Sequence, residues 1–239
     1  MHHRVVIAVS VFALLAFSVF SCGVGADVAF QADRSASLAL SVEVPQAVSA
    51  KLRQFATPAT PQAMFDAAGI AASVAARGIS VRESVSPDQR SWRGVFNIVD
   101  LEKLLASDRD LASVLSFNRG PGWASIRMRV DRSNAPAIAR LFPGIDAQLL
   151  EALQPPALFD NPASAPEYRM MLSGLLGKSA AAALDDASFA LTASFPGTIM
   201  ESSGSLKLDA GTKTASLAIP AIEAMVLEQP VVFYVQWKE

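Results

Sequence analysis

The sequence predicts an α+β fold: a mostly antiparallel sheet of about seven strands with helices packed on one face, behind an apolar leader. Three observations carry this. Residues 37–44 and 187–195 alternate apolar and polar side chains with the period of a half-buried strand, and Val231, Phe233, Val235 and Trp237 repeat that pattern at the end of the chain. The middle, from about 133 to 183, instead carries apolar residues at helical spacing. Helices gathered into one stretch between alternating strands make a layered α+β arrangement rather than a parallel doubly wound sheet.

Composition agrees. The chain has 239 residues, 51% hydrophobic and 18% charged, with a mean hydropathy of +0.33. That excludes a disordered tail, a collagen-like repeat and a disulfide-stapled miniprotein, and it suffices for one sizeable core. Lys and Arg total 20 against 22 Asp and Glu. This balance lacks the polybasic footprint of a nucleic-acid partner.

In chain order, Leu38, Leu40, Val42 and Val44 face one way on a strand, and Pro45 opens a short helix to about Phe55. Pro61 starts a second helical stretch that runs to Arg77 and is closed by Gly78. Strands follow over 79–85 and 92–99, separated by the turn Ser86-Pro87-Asp88. Asp100 is an N-cap for Leu101, Leu104 and Leu105, and a further helical turn from Ser107 leads to Leu111, Val114 and Leu115. Gly120-Pro121-Gly122 breaks the chain before a strand that places Ile126, Met128 and Val130 inward. The helical middle presents Ile138, Leu141 and Phe142, then Leu149, Leu150 and Leu153, then Tyr168, Met171, Leu172, Leu175 and Leu176. After the 187–195 strand, Pro196-Gly197 turns the chain, and short strands at Leu206–Leu208 and 215–219 precede a helical turn after Pro220.

The first 21 residues read as a processing signal. Arg4 is the one fixed charge of the amino-terminal segment, and Val5 to Phe20 is an uncharged run shorter than the roughly 20 apolar residues that a membrane-spanning helix needs. The run ends in Val19-Phe20-Ser21-Cys22, which resembles a bacterial lipobox: an aliphatic residue three before the cysteine, a small one directly before it, and the acceptor Cys. Phe20 is larger than the residue usual in its place. The resemblance implies transfer of diacylglycerol to the Cys22 sulfur, cleavage before Cys22 and further acylation of the new amino terminus. The membrane is then a partner through the lipid on Cys22, and the protein sits in the bacterial cell envelope, outside the cytoplasm. Two or more long acyl chains hold a protein to a bilayer stably, since each buried methylene contributes about 0.8 kcal/mol. Residues 22–27, with glycines at 23 and 25, read as a short tether reaching roughly 20 Å, and residues 28–239 as a single α+β domain held close to the bilayer.

Cleavage after residue 21 removes Arg4 and no acid, leaving 19 basic against 22 acidic residues, or −3. It also removes His2 and His3, the only histidines. A chain without imidazole, whose one thiol is a thioether, cannot assemble a Ser-His-Asp triad or a Cys-His pair. Zinc sites built on His or Cys, His-ligated haem and thiolate iron–sulfur clusters are excluded with them. The sequence therefore assigns no catalytic residue, no cofactor and no metal site.

The organisation also resembles a group of bacterial lipoproteins that includes spirochaetal ones, on Phe117-Asn118-Arg119, Leu141-Phe142-Pro143-Gly144-Ile145-Asp146, Pro155-Pro156-Ala157-Leu158-Phe159 and Glu228-Gln229-Pro230. The tract Leu191 to Gly204, with Phe195-Pro196-Gly197 before Ser203-Gly204, is similar to the LppM-type lipoprotein domain. That likeness implies a cup-like α+β domain in contact with lipid.

The remaining polar candidates are modest. Gly120-Pro121-Gly122 lacks the lysine and following helix of a phosphate loop. Asp108-Arg109-Asp110 starts like a calcium loop but lacks its glycine and terminal glutamate, and reads as helix-start acids. Asp185, Asp186 and Glu201 are the carboxylates that a hydrolase would have to bring together across a cleft. Arg82, Arg127 and Arg129 read as the polar faces of neighbouring strands, suited to anionic headgroups or simply solvated. Trp92, Trp123 and Trp237 read as core, or as the lining of an apolar pocket. The function these features favour is a non-catalytic, membrane-anchored binding or envelope component. The alternative is a carrier holding a lipid or other hydrophobic ligand between sheet and helices.

Overall fold

The computed structural model describes residues 23–55, 63–141, 151, 153–159, 161–209, 211 and 213–239. Residues 1–21, read above as a processing signal, Cys22, Pro61 and the 142–150 part of the helical middle lie outside the described residues.

Two sheets organise the chain. The larger begins with β1 (Gly23–Phe30) and β2 (Ala36–Glu43), an antiparallel hairpin in register from Gly23↔Glu43 to Phe30↔Ala36. Its turn is closed by Asp33, whose carboxylate accepts from Ser35 N (3.0 Å) and Ser35 Oγ (2.6 Å). On its other side β1 runs parallel to β7 (Ser188–Ser194), which is followed by β10 (Thr214–Pro220) and the two-residue β9 (Lys207–Leu208). Beyond β2 lie β4 (Ser91–Ile98) and β3 (Ser80–Val85), giving the order β3-β4-β2-β1-β7-β10-β9. The smaller sheet, in the order β5-β6-β11-β8, joins β5 (Leu115–Gly120), β6 (Trp123–Val130), β11 (Val231–Lys238) and β8 (Ile199–Ser202). Among the described residues the one parallel pair is β1–β7, so the α+β, mostly antiparallel fold read from the sequence is the fold observed.

Register fixes the faces, because successive side chains alternate across a strand. Ala26 lies opposite Leu40 and Leu191, and Leu191 opposite Leu217. These apolar residues share the inner face. Asp27, Ser37, Ser41, Thr192 and Ser216 have the opposite parity, and the outer face is built from small and polar side chains. The smaller sheet packs on the inner face, where Ala26, Leu191, Ala193 and Leu217 meet Ile126, Phe233, Val235 and Trp237 in one buried cluster. Helix α2 (Ala67–Ala76) sets Ile70 and Val74 against Trp92 and Phe96. Helices α1 (Gln46–Phe55), α6 (Ala165–Leu176), α7 (Lys178–Asp185) and α8 (Ala221–Val226) form a third cluster around Val48, Tyr168, Leu172, Leu176 and Ile222. Each fully buried large apolar side chain stabilises by about 1.5–3 kcal/mol.

Helix ends form where the sequence supplies caps. Asp66 accepts from Gly69 N (2.9 Å), and Asp100 from Lys103 N (3.1 Å) at the start of α3 (Leu101–Ser107). Asp108 takes Asp110 N and Leu111 N at the start of α4 (Arg109–Val114), and α5 (Ala135–Leu141) follows β6. Ser164 and Glu167 make a reciprocal capping box on α6, with Ser164 N donating to Glu167 Oε2 at 2.7 Å.

Four expectations are corrected. The 22–27 segment is no tether from Gly23 onward: Gly23–Asp27 already pair with both β2 and β7. Leu115 leaves the helix and opens β5, because the α4 stripe ends at Val114 and Gly120-Pro121-Gly122 turns a β5–β6 hairpin. Pro196-Gly197 leads into a further strand, β8. The strands accordingly divide into a seven-stranded sheet and a second, four-stranded one, with the latter sharing the inner face with the helices.

Arg132, just past β6, ties these layers together. Its Nε donates to Val226 O (2.9 Å), Nη1 to Asn161 O (3.2 Å) and Nη2 to Ala163 O (3.1 Å), joining the smaller sheet to the C-terminal end of α8 and the approach to α6 (residues 161–163). Lysine cannot reproduce this planar fork. Arg132→Lys is expected to lower unfolding free energy by about 1.5–3 kcal/mol, read from the urea midpoint at unchanged slope.

Candidate functional site

The candidate site is the rim of the seven-stranded sheet where the chain enters it. Gly23 is the first residue of β1 and lies between Glu43 and Ser188. Its φ is +146°, and an added Cβ would collide with the Ser188 carbonyl group, so only glycine fits. Glu43 pairs onward with Ser91, and Ser188 with Pro220, so the same rim carries the start of β4 and the end of β10. Arg90, next to Ser91, binds across it, with Nη1 donating to Glu43 Oε1 (2.6 Å) and Val44 O (3.2 Å). Asp185, three residues before Ser188, accepts from Arg169 Nε at 2.5 Å. Cys22 precedes Gly23 by one peptide bond, a Cα separation of about 3.8 Å. The sequence signal for this site was the lipobox; the two glycines after it hid the strand.

A second feature is a cleft of about 430 Å³ between the exposed end of β10 and the start of β11. Leu217, Ile219, Val226, Val231 and Val232 give it apolar walls, and Glu223 and Glu228 add carboxylates. Glu228 also accepts from Ala165 N, at the start of α6, at 2.5 Å. Because β9 pairs only with Ala215 and Ser216, the β10 edge from Leu217 to Pro220 has no strand beside it among the described residues.

The other sequence candidates scatter. Arg82 lies on β3 of the larger sheet, facing the Asn97 amide oxygen when that amide is turned toward it, whereas Arg127 and Arg129 lie on β6 of the smaller one. They are not on neighbouring strands. Arg127 stacks over the Tyr234 ring, 4.9 Å from its centroid, and Arg129 Nε donates to Asp131 Oδ2 at 3.1 Å. Asp185 is held on the helical layer by Arg169, while Glu201 sits on β8 beside Tyr234, so each is engaged within its own layer. Burial first, and then the Glu201 charge, raises the Tyr234 hydroxyl pKa. Trp92 and Trp237 belong to separate buried clusters, and Trp123 lies over Gly120 at the β5–β6 turn, so no single pocket gathers them. Asp108 and Asp110 serve as cap and ion-pair partner: Asp108 pairs with Arg77, and Asp110 accepts from Arg140 Nη2 at 2.7 Å.

Six surface carboxyls are held below their ordinary range, each chiefly by a hydrogen bond to the anion. The donors are the Ser35 hydroxyl for Asp33, Arg90 N for Asp88, Lys103 N for Asp100, Arg140 for Asp110, the Ser133 hydroxyl for Asp131 and the Ser164 hydroxyl for Glu167. A depressed folded-state pKa contributes stability that is complete above the unfolded carboxylate pKa, about 4, and is lost as pH falls through the folded value. The thermal midpoint is therefore expected to be flat from about pH 5 to 8 and to fall progressively below about pH 4.

No family model matches the chain, and no curated protein does. Among solved structures, the chain is similar to the folded domain of Mycobacterium tuberculosis LppM determined by NMR, at 13% identity and a TM-score of 0.43, over 93% of this chain and 94% of that one. These comparisons contain no counterpart of the spirochaetal resemblance.

Proposed function

We propose that the protein is a lipid-anchored domain of the bacterial cell envelope, outside the cytoplasm, that acts by binding and not by catalysis. The observation that carries this reading is the junction at residue 22. The lipobox cysteine stands directly before Gly23, the first residue of a strand at the centre of the larger sheet, and every histidine of the chain lies on the far side of the cleavage point. Without imidazole a general base would need an Asp, Glu, Lys or Tyr of strongly shifted pKa in a cleft; Asp110 and Asp185 are held by arginines, Asp108 caps α4 and pairs with Arg77, and Glu201 lies beside Tyr234 on a different layer from Asp185. Cys22→Ala tests the anchor. The wild type is expected to incorporate labelled palmitate and to fractionate with membranes, and the variant to lose both. Label retained by the variant contradicts the proposal.

A second reading, a carrier of a lipid or other hydrophobic ligand, is favoured by the cleft between β10 and β11, whose volume of about 430 Å³ falls within the roughly 300–1,000 Å³ of ligand sites. Native mass spectrometry of a soluble form beginning at Gly23 checks it. A co-purifying lipid mass supports the carrier, and a clean protein mass contradicts it.

A further inference from the structure

From the absence of any spacer between the lipid acceptor and the sheet, we infer that the rim formed by Gly23, Glu43, Ser188 and Pro220 is the surface that meets the lipid headgroups, so that the anchored domain is held in one orientation. The inference rests on the anchor proposed above and adds the geometry that the anchor imposes.

Gly23 is fixed on both sides, by Glu43 of β2 and Ser188 of β7, so the chain has no slack once the sheet is formed. Cys22 stands one peptide bond before Gly23, about 3.8 Å from Cα to Cα, and its thioether carries the acyl chains that enter the bilayer. The rim must then lie at the headgroup level. A tether of several free residues would let the domain tumble; a sheet that starts at the next residue does not. At about 3.3 Å per residue, the eight residues of β1 place the 31–35 turn about 23 Å from the rim, facing away from the membrane.

The charges at the rim decide what holds it there. Glu43 is paired with Arg90 and Asp185 with Arg169, and Asp88 and Asp186 add two further acids. This is not the cluster of lysines and arginines that anionic lipids recruit. The occupant is a lipid surface reached through the anchor, and contact is expected in purely zwitterionic bilayers and at high salt.

The test uses full-length lipidated protein purified from membranes and reconstituted in phosphatidylcholine vesicles. Gln89→Cys, in the exposed turn beside the rim, and Ala32→Cys, in the distant turn, each supply a single free thiol for a fluorophore, because lipid occupies Cys22. Quenchers attached to lipid headgroups are expected to dim the label at 89 several-fold more than that at 32. A Gly/Ser linker of about 12 residues inserted before Gly23, with a mean span of about 20 Å, is expected to abolish the difference. Equal quenching at both positions, or stronger quenching at 32, in protein that floats with the vesicles overturns the orientation and leaves the anchor standing. Protein that does not float with the vesicles overturns both.

Discussion

Trp237→Ala is expected to lower the unfolding free energy by about 3–5 kcal/mol, the range for removing a fully buried large aromatic. Trp237 is 1% exposed and stands where the two sheets meet. Phe195, Phe30 and Phe117 surround it at ring-centroid distances of 4.7, 5.7 and 6.0 Å. Phe30 belongs to the larger sheet and Phe117 to the smaller, so the indole fills the seam, and its loss leaves a cavity that neither sheet can close alone. Its Nε1 has no hydrogen-bond partner among the described residues, and an unmet buried donor costs about 1–3 kcal/mol. Trp237→Phe removes that donor while keeping most of the ring, so its loss is expected to be well under half that of alanine. Urea unfolding of both variants measures the difference; equal losses would contradict this, because a phenyl ring would then recover none of the seam packing even with the unmet donor removed.

The second large effect is expected at Gly23. Gly23→Val puts a β-branched side chain at φ +146° and drives its Cβ into the Ser188 carbonyl, a backbone atom of the neighbouring strand that cannot rotate away. Backbone strain and overpacking together set a cost of at least about 2 kcal/mol. Gly25→Ala, two residues on, meets only the Ser41 hydroxyl, which can turn aside. Its cost is expected to be below about 1 kcal/mol. Comparing the two by thermal unfolding separates a glycine required by the backbone from one that merely occupies a strand. Similar losses at both positions would mean that β1 does not begin where the structure places it.

The contrast explains what could be read from the chain. The strands at 36–43, 188–194 and 231–238 were legible because their apolar side chains alternate and one face is buried. Asp100 was legible as a cap because its carboxylate serves nearby backbone N–H groups, a local interaction. The start of β1 was not legible, since Gly23-Val24-Gly25 has the low intrinsic strand preference of a linker; it is strand because β2 and β7 supply hydrogen-bond partners on both sides, which is a tertiary effect. Leu115 was hidden for a similar reason. It continues the helical spacing of Leu111 and Val114, and only its pairing with Met128 makes it strand. The split of Arg82 from Arg127 and Arg129 follows from topology, which sequence separation does not encode: β3 and β6 belong to different sheets. The lipobox behind the proposed anchor was legible as a motif, but the start of the sheet at the very next residue required the register.

The most direct measurement is the intact mass of the amino-terminal peptide of protein extracted from bacterial membranes. The account predicts a peptide that begins at Cys22 and carries diacylglycerol on sulfur, with Gly23 next in the chain. A free Cys22 thiol, a retained leader, or a mature terminus at any other residue would contradict it.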